Sequence, residues 1–333
     1  MKSRISISSF KRGDGFVFMP RIFLSNFHFE HELADSRFVP TRKLLDINAR
    51  NALSWVKMAR EGDVIVLPEV AAANEIAANI REVAKGAEVV SGDRLPVGPE
   101  WIATPWGWTT TMLELSKKSR WAFNAPSIDV VKRVNSRRYA SELESTTMLQ
   151  PEPSLLAGSM DDVTSFLNQS APSPWLIKGE FGMSGRERIR VKGSLLNASQ
   201  LGWLKREFSA GRAVVIEPML DRLDEVSVHY DVEPDGVAHR VGIVALTSDA
   251  RGQFAQAVVG TGEDQQTRYA EWETVLSHTD HAAQEASRIG YVGPLGIDAM
   301  RYRTHDGEMG FRPLQDINAR WTMGRLALEL ARK

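Results

Sequence analysis

Asp316, Asn318 and Arg320 fall two residues apart at the end of an apolar-flanked run, Phe311 to Ile317. On an extended chain, residues i and i+2 share a face. An acid, an amide and a guanidinium would then project together from one strand end. Two hard oxygen donors beside a fixed positive fork suit a magnesium-bound phosphate and a neighbouring anionic substrate. Upstream, Gly296 to Tyr302 reads as a partner strand, and Asp306-Gly307 is a strong hairpin signal. Folding back about that turn sets Asp298 roughly opposite Gln315, about one residue from Asp316. One bulge would bring the two acids level. Asp298, Asp316 and Asn318 are therefore candidate metal ligands. The plainer reading is that Asp316 and Asn318 simply terminate a strand, as these residue types often do.

Two further segments could serve a nucleotide. Pro174 to Lys178 is an apolar strand ending in lysine, and the loop Gly179-Glu180-Phe181-Gly182-Met183-Ser184-Gly185-Arg186 follows it before an extended pattern resumes at Glu187. Glycines let backbone amides approach phosphate oxygens, and Lys178 adds a point charge. The spacing is not that of a P-loop, and a surface turn would use the same residues. Downstream, Ala213 to Leu220 is a buried-type strand interrupted by Pro218, with Glu225 opening the next alternating strand. Proline frees backbone groups that could meet a purine edge. Glu225 could accept from ribose hydroxyls, although an ordinary strand connection with solvated acids would look alike.

The order of these pieces is more specific than any one of them. Lysine and glycine loop, Glu217 strand, Glu225 strand, Asp298, then Asp-x-Asn-x-Arg resembles the ATP-grasp family over roughly residues 130–333. The resemblance implies ATP and Mg2+ gripped between two α+β subdomains. Lys178 would contact the phosphates, and Gly182, Ser184 and Gly185 would belong to the phosphate-covering loop. Glu217, Pro218 and Leu220 would line the adenine, and Glu225 would hold the ribose. Asp298, Asp316 and Asn318 would hold magnesium, and Arg320 would meet the substrate or the transferred phosphoryl group. An earlier basic residue is also implied. Lys132, Arg133, Arg137 and Arg138 are candidates, with Arg138 preferred. The family usually carries glutamate where Asp316 stands, and aspartate is one methylene shorter.

The implied activity is an ADP-forming carboxylate-amine ligase, acting through an acyl phosphate, with Lys178 and Arg320 as the catalytic residues. The alternatives are a kinase that stops at phosphoryl transfer and a non-catalytic nucleotide-binding module. The acid would be a small molecule or peptide; neither it nor the amine is named by the sequence.

Composition bounds these readings. The chain has 333 residues, 41 basic against 42 acidic, and no cysteine. That length suits two or three domains. The balanced charge, without a basic domain, argues against nucleic acid as a partner. Without cysteine there is no thiol nucleophile, thiolate zinc site or disulfide, which fits a reducing cytosol. Phe16 to Leu24 is broken by Pro20 and Arg21 and is no export signal, and no stretch approaches a membrane span. A cytoplasmic protein without a membrane partner is expected.

The elements that would position the site follow two patterns. Before about residue 125, strands at Phe16–Met19, Asp63–Leu67 and Ala87–Val90 alternate with a helix over Ala71–Lys85. This implies an α/β domain with a parallel sheet at residues 1–125. The resemblance then places the ATP-grasp domain at 126–333, with a small subdomain at about 140–220 and a C-terminal one at about 221–333. A helix is expected around Met160–Asn168. Trp101, Trp106, Trp108 and Trp121 could line a pocket or a homo-oligomer contact, core packing being the simpler role. The glycine-bearing stretch Ser248–Thr267 would form a lid or an idle surface loop. His28/His31 and His278/His281 have helical spacing but no further metal ligands nearby. His229 shares a strand face with Ser227 and could touch substrate, a satisfied strand histidine being the simpler role.

Overall fold

The computed structural model describes residues 11–12, 15–16, 19–84, 86–92, 94–147, 149, 151, 153–170, 174–182, 187–248, 254–260 and 263–332. At the N-terminus β1 (Lys11–Arg12) and β2 (Gly15–Phe16) form a small antiparallel pair. The first strand of the main N-terminal sheet is β3 (Arg21–Leu24), so the strand expected at Phe16–Met19 lies further along the chain. Val17 and Phe18 lie outside the described residues. Then come α1 (Phe29–Ala34), α2 (Arg42–Asn51), a 3-10 turn (Ala52–Lys57), β4 (Val64–Leu67), α3 (Ala73–Val83), β5 (Glu88–Ser91), β6 (Ile102–Pro105) and α4 (Thr110–Lys118).

The four strands pair in parallel in the order β5-β4-β3-β6. Strands so placed are covered on both faces and need near-continuous apolar runs, which Val64-Ile65-Val66-Leu67 supplies. Helix α3 turns Ala77 and Ile80 inward, three apart on one face. Phe23 stacks on Trp55 with ring centroids 4.8 Å apart, and both are fully buried. Burying such a side chain is worth roughly 1.5–3 kcal/mol.

Helices α5 (Ile128–Val134) and α6 (Arg137–Thr147) lead into a second sheet. It comprises β7 (Leu155–Ala157), β8 (Pro174–Gly179), β9 (Arg188–Lys192) and β10 (Val214–Pro218), antiparallel in the order β7-β10-β8-β9. Two helices cover it, α7 (Met160–Gln169) and α8 (Ala198–Ser209). Each starts with a capping box, Ser159 with Asp162 and Asn197 with Gln200. Trp175, Ile177, Leu204, Val214 and Ile216 make a core separate from the rest.

The third sheet holds β11 (Asp221–Val232), β12 (Ala238–Ser248), β13 (Phe254–Val258), β14 (Gly293–Arg303) and β15 (Met309–Asn318), antiparallel in the order β13-β12-β11-β14-β15. Helices α9 (Glu263–Glu271), α10 (Glu273–Arg288) and α11 (Met323–Ala331) accompany it. Residues 249–253 and 261–262 of the stretch expected as a lid lie outside the described residues. Its described residues end β12, form β13 and begin α9, because Phe254 to Val258 pairs with the β12 edge.

The N-terminal unit docks on the third through aromatics. The Trp55 and Trp321 rings meet edge to face at 6.2 Å, and Trp321 N donates to Trp106 O at 3.0 Å. Among the described residues no helix is long and apolar enough to cross a membrane.

Candidate functional site

The hairpin of β14 and β15 turns through Gly307, whose φ of +83° a side chain would resist. Its register pairs Asp298 with Asp316 and Gly296 with Asn318, and the ladder then slips so that Met300 faces Arg312. Two extra residues of β15 fall in this slip, and Pro313 sits among them, where a missing N–H costs the ladder least. The irregularity is what makes the acids level. Asn318 Nδ2 donates to Asp298 Oδ2 at 3.1 Å. Arg320 follows the strand end, and its Nη2 donates to Asn318 Oδ1 at 3.0 Å.

These side chains line one cavity of about 210 Å³ together with Gly182, Glu225, Ser227, Arg137 and Trp106. A neighbouring hollow of about 280 Å³ is lined by Lys178, Glu217, Pro218, Leu220 and Met300, and shares Arg188 and Gln315 with the first. The expected nucleotide residues on β8 and β10 thus gather in one place. In the β8–β10 ladder Leu176 lies opposite Glu217, so Lys178 stands diagonally from it. Lys178 Nζ is 2.7 Å from Glu217 Oε1, with both side chains buried. Glu225 accepts from Gln315 Nε2 at 3.0 Å and pairs with Arg222 at 2.9 Å. Ser184 and Gly185 lie outside the described residues.

Arg138 is not brought to the cavity. Its Nε donates to Glu180 Oε1 at 3.1 Å, and it faces a separate hollow with Lys132, Arg133 and Tyr139. Its neighbour Arg137 reaches the site instead, donating from Nε to Asp316 Oδ1 and from Nη1 to Gly179 O, each at 2.8 Å. Adjacent residues on a helix point about 100° apart, so a one-residue choice decides which arginine faces inward.

The N-terminal unit closes the other side. Glu30 on α1 is buried and accepts from Arg320 Nε at 2.5 Å. The Arg320 guanidinium also lies 5.7 Å from the Trp106 ring centre. Phe27 and Asn51 line the cavity there. His229 does not line it. It is buried, its Nε2 has no partner among the described residues, and it stands against Gly296 and Gly324. The His28 ring faces Glu32, not a metal cluster.

The charges are unevenly compensated. Burial pushes Asp298 up to about 7; the Ser227 and Asn318 side chains offset part of this, while Asp316 and Glu225 add to it. Burial also acts on Asp316, but Arg137 and Lys178 outweigh it and hold that carboxyl below its usual range. Glu217 is likewise buried and held down by Arg312 and Lys178. Paired acids of which one resists ionisation are short of positive charge, and a divalent cation would supply it. The donor set, two carboxylates and an amide oxygen, is the hard-oxygen type magnesium takes. Among the described residues no group of three or more His, Cys, Asp or Glu is placed to hold a metal, so Asn318 has to complete this one.

Sequence reasoning missed Arg312 and Glu144. Arg312 Nε and Nη2 donate to the two oxygens of Glu144 at 2.8 and 2.9 Å, and its Nη1 donates to Glu217 Oε2 at 2.8 Å. The available signal was a charged residue inside a strand, which burial forbids without partners.

No protein-family model matches this chain, and no curated protein matches it significantly. Solved structures do. A biotin carboxylase from Campylobacter jejuni in a β-γ-ATP complex superposes with a TM-score of 0.56 at 14% identity, over 94% of this chain and 68% of that one. The chain has the ATP-grasp fold. The biotin carboxylase domain of the Hydrogenobacter thermophilus 2-oxoglutarate carboxylase, solved with MgADP, ADP and bicarbonate, gives 0.52 at 11% identity, over 94% of this chain and 69% of that one. Pyruvate carboxylase from Rhizobium etli gives 0.54 at 15% identity, over 94% of this chain and 27% of that one.

Proposed function

We propose that this protein is an ATP-dependent ligase that joins a carboxylate to an amine and releases ADP and phosphate. The observation that carries this reading is the meeting, in adjoining cavities, of the Lys178–Glu217 pocket, the paired acids Asp298 and Asp316 with Asn318, and Arg320. Nucleotide at the first, phosphates across the second and an anionic substrate at the third would bring the reactants together. The complexes of the Campylobacter and Hydrogenobacter neighbours with nucleotide support the same reading.

A substrate carboxylate oxygen would attack the γ-phosphorus, forming an acyl phosphate as ADP leaves. An amine would then attack the acyl carbon, losing a proton as phosphate departs with the bonding pair. The chain's part is to position and to neutralise charge. Lys178 would turn its ammonium toward the phosphates. Arg320, braced by Glu30, Asn318 and the Trp321 carbonyl, would offer its charge and one remaining Nη1 N–H to the acid or acyl phosphate. Asp298, Asp316 and Asn318 would hold magnesium, which when bound spreads the phosphates' negative charge.

Residues 1–125 would form the substrate side of the cleft, and residues 126–333 would grip the nucleotide. The acid is a small molecule or a peptide, and the cysteine-free chain fits a reducing cytosol. The test is Asp316→Ala. It should abolish ATP turnover while leaving the fold intact, and the wild-type protein should yield ADP and an amide from a panel of acids and amines. Unchanged turnover in the variant, or a stable phosphorylated product from the wild type, would refute the reading.

A further inference from the structure

Any shift of the Lys178 ammonium toward a phosphate loosens its hold on Glu217. Its Nζ sits 2.7 Å from Glu217 Oε1, in a place where both side chains are almost wholly shielded from water. Turning the ammonium away would strand a buried carboxylate, which is costly unless another cation stays behind. Arg312 is that cation. Its Nη1 donates to the other oxygen of Glu217, while Nε and Nη2 fork onto Glu144, carried by α6. Arg312 itself is 3% exposed and Glu144 is fully buried. Lysine could not reproduce this, since a single ammonium lacks a planar fork that spans two carboxylates.

We infer that Arg312 is a positioning residue: by keeping Glu217 paired, it frees Lys178 to move onto the phosphates of a bound nucleotide. The inference rests on the nucleotide-site reading above and adds a residue that does not itself touch the nucleotide. Phosphate recognition then depends on Arg312 more strongly than the adenine and ribose contacts do. Glu144 competes for the same guanidinium, so removing its charge turns Arg312 more fully to Glu217.

The experiment is isothermal titration of MgATP and of adenosine into the wild type and into R312K, R312M and E144Q, with thermal unfolding as a check on folding. The ratio of ATP to adenosine affinity should fall at least about tenfold in R312K and R312M, the size of one lost charge-assisted hydrogen bond. It should hold or rise in E144Q. Should R312M fail to fold, the ratio still falls in R312K and does not fall in E144Q. Equal loss of both ligands in R312K, or a ratio in R312K like that of the wild type, overturns the inference while leaving the nucleotide reading intact. A wild type that binds neither ligand refutes the nucleotide reading, and this inference with it.

Discussion

Asp298→Asn should make the protein more stable while stopping turnover. The Asp298 carboxyl rises from 3.8 to about 7 in the folded protein, first through burial and then through Asp316. Its ionised form is therefore disfavoured by roughly 4 kcal/mol at neutral pH and above. One edge of Asp298 opens on the cleft, where water screens the charge, so about half of that is expected. The sign follows from proton counts. Between pH 3.8 and about 7 the folded state keeps a proton that the unfolded state has released, so wild-type stability declines across that window and levels off above it.

Asparagine carries no charge at any of these pH values and can still accept from Asn318 Nδ2. The measurement is urea unfolding of both proteins, with chelator present, at about pH 4.5 and about pH 8. Other titrations cancel in the difference, and the advantage of the variant should grow by about 2 kcal/mol from the lower to the higher pH. An advantage that stays constant or shrinks with rising pH would show that Asp298 is not the strained partner of the acid pair. The divalent-cation assignment would then lose its electrostatic support.

Further outcomes are expected. Arg137→Met should raise the KM for ATP at least about tenfold, because a charge-assisted bond to Asp316 is lost, whereas Arg138→Met should stay near wild type. Steady-state kinetics on the pair checks this, and reversed effects would restore Arg138 to the site. Glu30→Gln should raise the KM for the carboxylate substrate by roughly five- to tenfold and leave MgATP affinity unchanged, since it loosens Arg320 and not the nucleotide pocket. His229 is held neutral by burial, with its pKa lowered to about 3, so its contribution to stability is full above pH 6.5 and is lost as pH falls toward 3. At about pH 4.5 that loss is roughly 2–3 kcal/mol, and His229→Leu should flatten the acid limb of a stability-versus-pH curve.

Much of the site was legible because its determinants are local. Alternation along Phe311–Ile317 and the Asp306-Gly307 turn placed Asp298 within one residue of Asp316, and the observed slip supplied the correction. Lys178 at a strand end and Glu217 before Pro218 were readable as residue types at chain positions. The choice between Arg137 and Arg138 was not. It depends on the rotation of α6 against the hairpin, and a one-residue change of phase moves a side chain from Asp316 to Glu180. Apolar residues alone do not say which run will find parallel partners, and the strand expected at Phe16–Met19 lies partly outside the described residues. Arg21–Leu24 finds them, pairing with both β4 and β6.

The amino-acid order by itself determined which chemical groups the protein has and which neighbours along a strand share a face. It also determined the absence of thiol chemistry. Tertiary structure alone decided the long-range charge pairs: Glu30 with Arg320, Glu144 with Arg312, and Arg312 with Glu217. Backbone periodicity is fixed over a few residues, whereas a buried ion pair forms only where two distant elements pack and exclude water, so the sequence can flag a charge inside a strand but not name its partner.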